Sequence, residues 1–356
     1  MNLRQTIRFC SSSDGTNIAV ASCGEGPVIL RAAHWLSHVD YDLESPIWRP
    51  WVEALSARNR FVRYDPRGCG LSERYVADVT IAAWCRDLEA VAATIDEPRF
   101  VLLGLSQGGA LAIDYALAHP ERVSHLILMN AYGQGARTRA RSDAERLEAE
   151  TLVNFVRIGW GRENPAFCEF FTNLFIPDGT EEQHRWWGQL ERVTVSADVA
   201  ARLLSEMQRI DVLDRAAGLD VPTLVLHCRG DMRVPFEEGV KLAAAIPGAR
   251  FCPLESRNHV LLPTEPAWQV FLGELDRFVG PERPPVPQRV ADAALTPAEA
   301  EVLSLVAEGL DNRQIAERLD KSEKTVRNQV SAVLDKLGAH TRAEAIVAVL
   351  GERRQR

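Results

Sequence analysis

The chain has 356 residues, 46% of them hydrophobic and 25% charged, with a formal net charge of −8. That length sets two folding units as the expectation, and no apolar run approaches the roughly 20 residues that a membrane span needs. The seven cysteines are scattered and never form a C-x-x-C pair, which argues against a disulfide framework or a zinc site and for reduced thiols in the cytoplasm. The stretch Met1–Thr6 has no apolar core or small-residue cleavage site, so no signal peptide is expected; neither is a metal or a cofactor. Residues 295–356 carry ten Lys/Arg and ten Asp/Glu, so the whole deficit belongs to residues 1–294 and the two parts differ in electrostatic character.

In chain order, Thr6–Phe9 and Ile18–Ala21 read as edge strands joined through Asp14-Gly15, a hairpin signal. Val28–Leu30 is a buried strand by its unbroken apolar run, and a loop from Arg31 to His38 follows it. Trp48–Leu55 predicts a helix, Phe61–Tyr64 a strand, and Asp65–Ser72 a glycine-rich loop; Ile81–Ile95 predicts another helix. Then Phe100–Leu103 reads as strand, Gly104-Leu105-Ser106-Gln107-Gly108 as a sharp turn, and Ala110–Ala118 as helix. Val123–Met129, Thr223–His227 and Arg250–Leu254 supply three more strands. Strands alternating with helices imply a mostly parallel sheet whose functional residues gather at the strands' carboxyl ends. Between about 132 and 219 the alternation stops. That stretch is helical in character and carries Phe155, Trp160, Phe167, Phe170, Phe171, Phe175, Trp186 and Trp187, which form its own core and, as a group, roof an apolar pocket.

A G-x-S-x-G turn holds its serine in a strained conformation at a helix N-terminus, where backbone N–H groups and the helix dipole favour a developing negative charge. Alone, the pattern fits an ordinary glycine-rich turn equally well. The remaining chemistry comes from Asp231, just past the strand ending at His227, and from His259 in the loop after the last strand. The order Ser106, Asp231, His259, with Asp65-Pro66-Arg67-Gly68-Cys69-Gly70-Leu71-Ser72 and Ala118-His119-Pro120-Glu121-Arg122-Val123, resembles the α/β-hydrolase family over roughly residues 5–280. The resemblance implies Ser106 as nucleophile, His259 as general base and then acid, and Asp231 as the group that fixes the imidazole tautomer. It also implies an oxyanion hole from the backbone N–H of Gln107 and of a residue after the third strand. There Ala33-His34 stands in place of the usual His-Gly, and Trp35 becomes the donor.

Gly280–Pro287 is a stiff proline-rich linker, and the predicted boundaries are a hydrolase domain at 1–279, the linker at 280–294 and a small all-α domain at 295–356. Thr296-Pro297-Ala298-Glu299 and Asp311-Asn312-Arg313-Gln314 are capping boxes that open two helices, and Ser322 caps a third running to about Leu337. Two short helices joined tightly have the form of a helix-turn-helix reader. Leu295–Glu299, Glu308-Gly309-Leu310, Gln314-Ile315-Ala316, Ser322–Arg327 and Lys336-Leu337-Gly338 resemble the LuxR/GerE-type DNA-binding domain. By position, that resemblance implies that Lys324 and Thr325 hold phosphates and that Arg327, Asn328 and Ser331 face base edges of double-stranded DNA. Gln329 stands where the family often has histidine. A charge-neutral reader implies a homodimer on half-sites about one helical turn apart.

The expectation is therefore a cytoplasmic, LuxR-type transcriptional regulator whose hydrolase domain senses, with or without slow cleavage, a small apolar ester, thioester or lactone, with no membrane involved. The alternative is a working serine hydrolase whose small domain serves mainly for dimerisation.

Overall fold

Strands β1 (Gln5–Ser11), β2 (Asn17–Cys23), β3 (Val28–Ala32), β4 (Arg60–Tyr64), β5 (Phe100–Leu105), β6 (Val123–Met129), β7 (Thr223–Cys228) and β8 (Arg250–Leu254) form a single sheet in the computed structural model. The structure describes residues 3–162, 165–280, 295–339, 341, 342, 345 and 346. All but Gly280 of the predicted linker, and the end of the chain beyond Ile346, lie outside the described residues. The strand order is β1-β2-β4-β3-β5-β6-β7-β8; β2 runs antiparallel to both of its neighbours and every other pair is parallel.

Strands β3, β5 and β7 bury every residue, as expected of parallel strands covered on both faces. The cover consists of α1 (Trp48–Ser56), α2 (Ile81–Ala92), α3 (Gly108–Ala118) and, after an inserted helical block, α9 (Phe236–Ala245) and α10 (Pro266–Val279). Helix α2 stops three residues before its predicted end, because Thr94 and Ile95 close a tighter turn on the carbonyls of Val91 and Ala92. The inserted block comprises α4 (Ala136–Arg139), α5 (Asp143–Gly159), α6 (Pro165–Phe175), α7 (Glu181–Thr194) and α8 (Ala197–Met207). Ser142, Thr180 and Ser196 each cap the following helix by accepting a backbone N–H.

The chain divides into two compact units, Met1–Val279 and Gly280–Arg356. The second contains α11 (Pro297–Ala307), α12 (Asn312–Leu319) and α13 (Glu323–Leu337). Thr296 with Glu299 and Asp311 with Gln314 form reciprocal capping boxes, and the Ser322 side chain caps α13. Asp320 turns the chain between α12 and α13 in the left-handed region at φ +53°. A separate small core of Val302, Leu303, Ile315, Val326, Val330, Val333 and Leu337 holds the three helices together.

Candidate active site and nucleic-acid interface

Ser106 lies between β5 and α3 with φ +55°, a left-handed conformation that costs a non-glycine residue about 1–2 kcal/mol. The turn is possible only with its glycines. A Cβ on Gly104 would lie 2.6 Å from Gly109 Cα, and one on Gly108 would lie 2.9 Å from the Ala32 carbonyl oxygen. The turn thus lets α3 approach the ends of β3 and β5 closely, which places the serine hydroxyl at the sheet's carboxyl edge.

Asp231 and His259 arrive from the loops after β7 and β8. Asp231 Oδ2 lies 2.7 Å from His259 Nδ1, while its Oδ1 accepts the backbone N–H groups of Arg233 (2.8 Å) and Val234 (3.0 Å). The carboxylate is therefore held on both oxygens. His259 is 1% exposed, and its Nε2, the atom that would take a serine proton, is buried with no hydrogen-bond partner. Ser106, Gln107, His259 and Trp35 line one chamber, so the structure brings together every residue predicted for this centre.

Asn130 does much of the positioning. Asn130, at the end of β6 with φ +47°, donates to the His259 carbonyl at 2.7 Å and accepts the Cys228 N–H at 2.8 Å. It ties the end of β7 to the histidine loop. Its place just past a strand's carboxyl end was the available signal. His34 lines the same chamber and stacks on Trp48 at 4.6 Å between ring centres. Burial, followed by the neighbouring Arg31 and His259, pushes its pKa well below the ordinary imidazole value, so it is neutral.

The loop carrying Trp35 is anchored by buried charge. Asp65 accepts Ser37 Oγ (2.8 Å), the Val39 N–H (2.9 Å) and, on its other oxygen, the Leu71 N–H (2.9 Å). Gly70, at φ +53°, is required here because a Cβ would run into that carboxylate. Gln107 Nε2 donates to the Ala33 carbonyl at 3.3 Å, linking the elbow to the same loop. Among the described residues, neither the Trp35 nor the Gln107 backbone N–H has a hydrogen-bond partner.

Most aromatic rings of the inserted block fall into two groups, while Trp186 stacks on Tyr41 at 5.0 Å. Phe155 contacts Phe167, Phe170 and Phe171 at 4.7–5.6 Å in a cluster of which only Phe171 is fully buried. Trp160 and Phe175 lie 5.0 and 6.2 Å from Trp35, and Phe175 reaches His259 (5.5 Å) and Trp187 (5.1 Å). With Ser106, Phe175 and Trp187 line the chamber, which measures about 10 Å³, close to the limit for a single water.

In the C-terminal unit, Lys324, Thr325, Arg327, Asn328 and Ser331 are all exposed on α13, whereas Val326, Val330 and Val333 are buried. The helical repeat therefore puts all five predicted contact residues outside the small core. Arg327 lies 3.1 Å from Glu323 one turn earlier, and Gln329 accepts from Lys321 Nζ at 3.3 Å. Lys324, Thr325 and Asn328 line a shallow concavity with Thr296 of the α11 cap.

A family profile described as alpha/beta hydrolase fold matches residues 42–266. The chain belongs to the α/β-hydrolase family. A second profile, bacterial regulatory proteins of the luxR family, matches residues 293–349, so this α/β hydrolase carries a LuxR-type DNA-binding domain at its C-terminal side. Among curated relatives, a Rhizobium rhizogenes protein named "Putative carbamate hydrolase RutD" is 29% identical over 241 residues, covering 65% of this chain and 87% of that one. Two solved structures share the fold at 22% identity: a Pseudomonas aeruginosa hydrolase (TM-score 0.64; 78% of this chain, 99% of that one) and the Burkholderia xenovorans enol-lactonase (TM-score 0.61; 76% and 99%).

Among the described residues, no group of three or more His, Cys, Asp or Glu side chains could hold a metal ion, and no helix is long and apolar enough to cross a membrane. None of the seven cysteines is paired.

Proposed function

We propose that this protein is a transcription regulator that binds double-stranded DNA as a homodimer through Lys324, Thr325, Arg327, Asn328 and Ser331, and that its α/β-hydrolase domain receives and hydrolyses a small apolar ester, thioester or lactone. One observation carries the enzymatic half: a buried imidazole oriented by Asp231 at 2.7 Å, with its other nitrogen unpartnered, beside a serine in a left-handed turn. Ser106 would attack the acyl carbonyl as His259 takes its proton, and His259 would return that proton to the leaving group. The free N–H groups of Trp35 and Gln107 would bind the oxyanion; losing one such donor typically costs about 10²- to 10³-fold in rate. The name of the Rhizobium relative adds carbamates to the substrates worth trying, since their carbonyl makes the same demands of serine, base and oxyanion donors. The 10 Å³ chamber implies that the aromatic roof moves before any ester reaches Ser106, a motion that ligand binding would favour.

The test compares wild type with Ser106→Ala for fluorophosphonate labelling and for binding to the protein's own upstream DNA, at fixed salt, across a panel of esters, lactones and carbamates. Wild type is expected to be labelled and the variant not. A compound that shifts DNA affinity briefly in wild type and persistently in the variant would mean that hydrolysis ends the signal. Labelling of Ser106→Ala would remove Ser106 as nucleophile, and absence of DNA binding under every condition would favour a hydrolase whose small domain only dimerises it.

A further inference from the structure

A groove of about 1130 Å³ is lined by Asp231 and Arg233 but by neither Ser106 nor His259. Its volume is at the upper end of the usual range for small-molecule sites, whereas the serine chamber beside it holds about 10 Å³. Leu152 and Phe155 of α5 and Phe170 and Leu174 of α6 give it an apolar wall. Arg233 is half-buried in the lining, with its guanidinium carbon 6.0 Å from the centre of the Phe175 ring. Among the described residues its side chain has no ion-pair or hydrogen-bond partner. Burial, with Arg139 nearby, pulls its pKa down from the usual guanidinium value, partly offset by Tyr132 and Asp231. Arg139, also in the lining, donates to the Gln134 carbonyl at 3.0 Å and likewise has no acidic partner.

Among the described residues no acid pairs directly with Arg233, although Asp231 lies close enough to favour its charge. Glu145, Glu148 and Glu237 are exposed, and Glu145 accepts the Arg141 backbone N–H. Asp231 has one oxygen on His259 and the other on two backbone amides. A half-buried, unpaired arginine beside an apolar wall matches a ligand with an anionic planar head and a hydrocarbon body, since guanidinium and carboxylate pair through two parallel hydrogen bonds.

We propose that this groove binds an amphipathic monocarboxylate, its head paired with Arg233 and its chain laid against Leu152, Phe155, Phe170 and Leu174. The site stands whether or not Ser106 is an active nucleophile. It also abuts the parts that hold the acid and the base: the Arg233 N–H is one of the two amides on Asp231 Oδ1, and Phe175 contacts both Arg233 and His259. An occupant of the groove therefore bears on the orientation of the imidazole. The carboxylate class is also what acyl hydrolysis releases, which would make the groove a product-sensing site.

The experiment titrates the full-length Ser106→Ala protein, which excludes turnover, with decanoate and with decanol below their aggregation concentrations, read by calorimetry. Decanoate is expected to bind at least about tenfold more tightly than decanol, and Arg233→Met to remove that preference while leaving decanol binding unchanged. Because Arg233 shares a loop with Asp231, a second variant is needed that leaves the loop alone. Ala144→Trp, at an exposed lining position on α5, is expected to weaken both ligands by filling the groove. Equal binding of the two compounds, an unchanged preference in Arg233→Met, or an unaffected decanoate affinity in Ala144→Trp would each overturn the proposal. Loss of esterase activity or of DNA binding would bear only on the function proposed above.

Discussion

Replacing Asp231 with asparagine isolates the tautomer argument from the fold. The two backbone N–H groups of Arg233 and Val234, at 2.8 and 3.0 Å, need an acceptor, so the new amide oxygen must take the place of Oδ1. The amide nitrogen is then forced to face His259 Nδ1 from the position of Oδ2, at 2.7 Å. An NH₂ group can only donate, so Nδ1 becomes the acceptor and the ring proton moves to Nε2. The imidazole then presents a proton to Ser106 instead of a lone pair. The opposite amide orientation fails because it points two donors at two backbone donors. Loss of the base in this way costs about 10⁴-fold in turnover in the serine-protease template, on the order of 5 kcal/mol of transition-state stabilisation. Stability should change little, since every hydrogen bond at the site has a counterpart in the variant. The assay is the rate of fluorophosphonate labelling and of p-nitrophenyl ester hydrolysis at pH 7–8, alongside a thermal melt. A variant within about tenfold of wild type in both rates would refute the assignment of Asp231 as the orienting acid.

Asn130→Ala should destabilise the protein by on the order of 3 kcal/mol, because it strands the buried Cys228 N–H and His259 carbonyl and puts alanine at φ +47°. A denaturant midpoint indistinguishable from wild type would show that this bridge does not matter. Glu191 is 2% exposed and its pKa is pushed up to about 8 by burial, so the folded protein holds a proton that the unfolded chain releases above about 4.5. Its contribution to stability is complete below pH 4.5 and lost as pH rises to about 8, a decline on the order of a few kcal/mol. Asp42 and Asp65 act in the same direction but only up to about pH 6, while His34, His38, His125 and His227, whose pKa values burial lowers, act oppositely near pH 6.5, so Glu191 is isolated by the difference between wild type and Glu191→Gln in urea midpoints at pH 6.5 and 8. Glu191→Gln should flatten the slope between them, and equal slopes in both proteins would sink the argument. Arg327→Ala should weaken specific DNA binding by about 1–3 kcal/mol if the side chain reaches a base edge, whereas unchanged affinity for the operator would show that it stays with Glu323.

The sequence by itself determined the alternation of strands and helices, the need for glycine on both sides of Ser106, the chain order Ser106, Asp231, His259, and the caps of the C-terminal helices. Each of these is a short-range requirement: an apolar period, a steric limit at one or two residues, or a side chain bonding to a backbone group three positions away. The α/β-hydrolase and LuxR-type families were legible for the same reason, since their marks are local motifs in a fixed order. Only the tertiary structure decided that Asn130 joins β7 to the histidine loop, that His34 is buried and neutral beside His259, that aromatic rings fill the serine chamber, and that Arg233 has no ion-pair partner among the described residues in a large groove. Those facts depend on partners far apart along the chain, such as Asn130 and His259, 129 residues from each other. They arise because the carboxyl ends of parallel strands bring together loops that no sequence period connects.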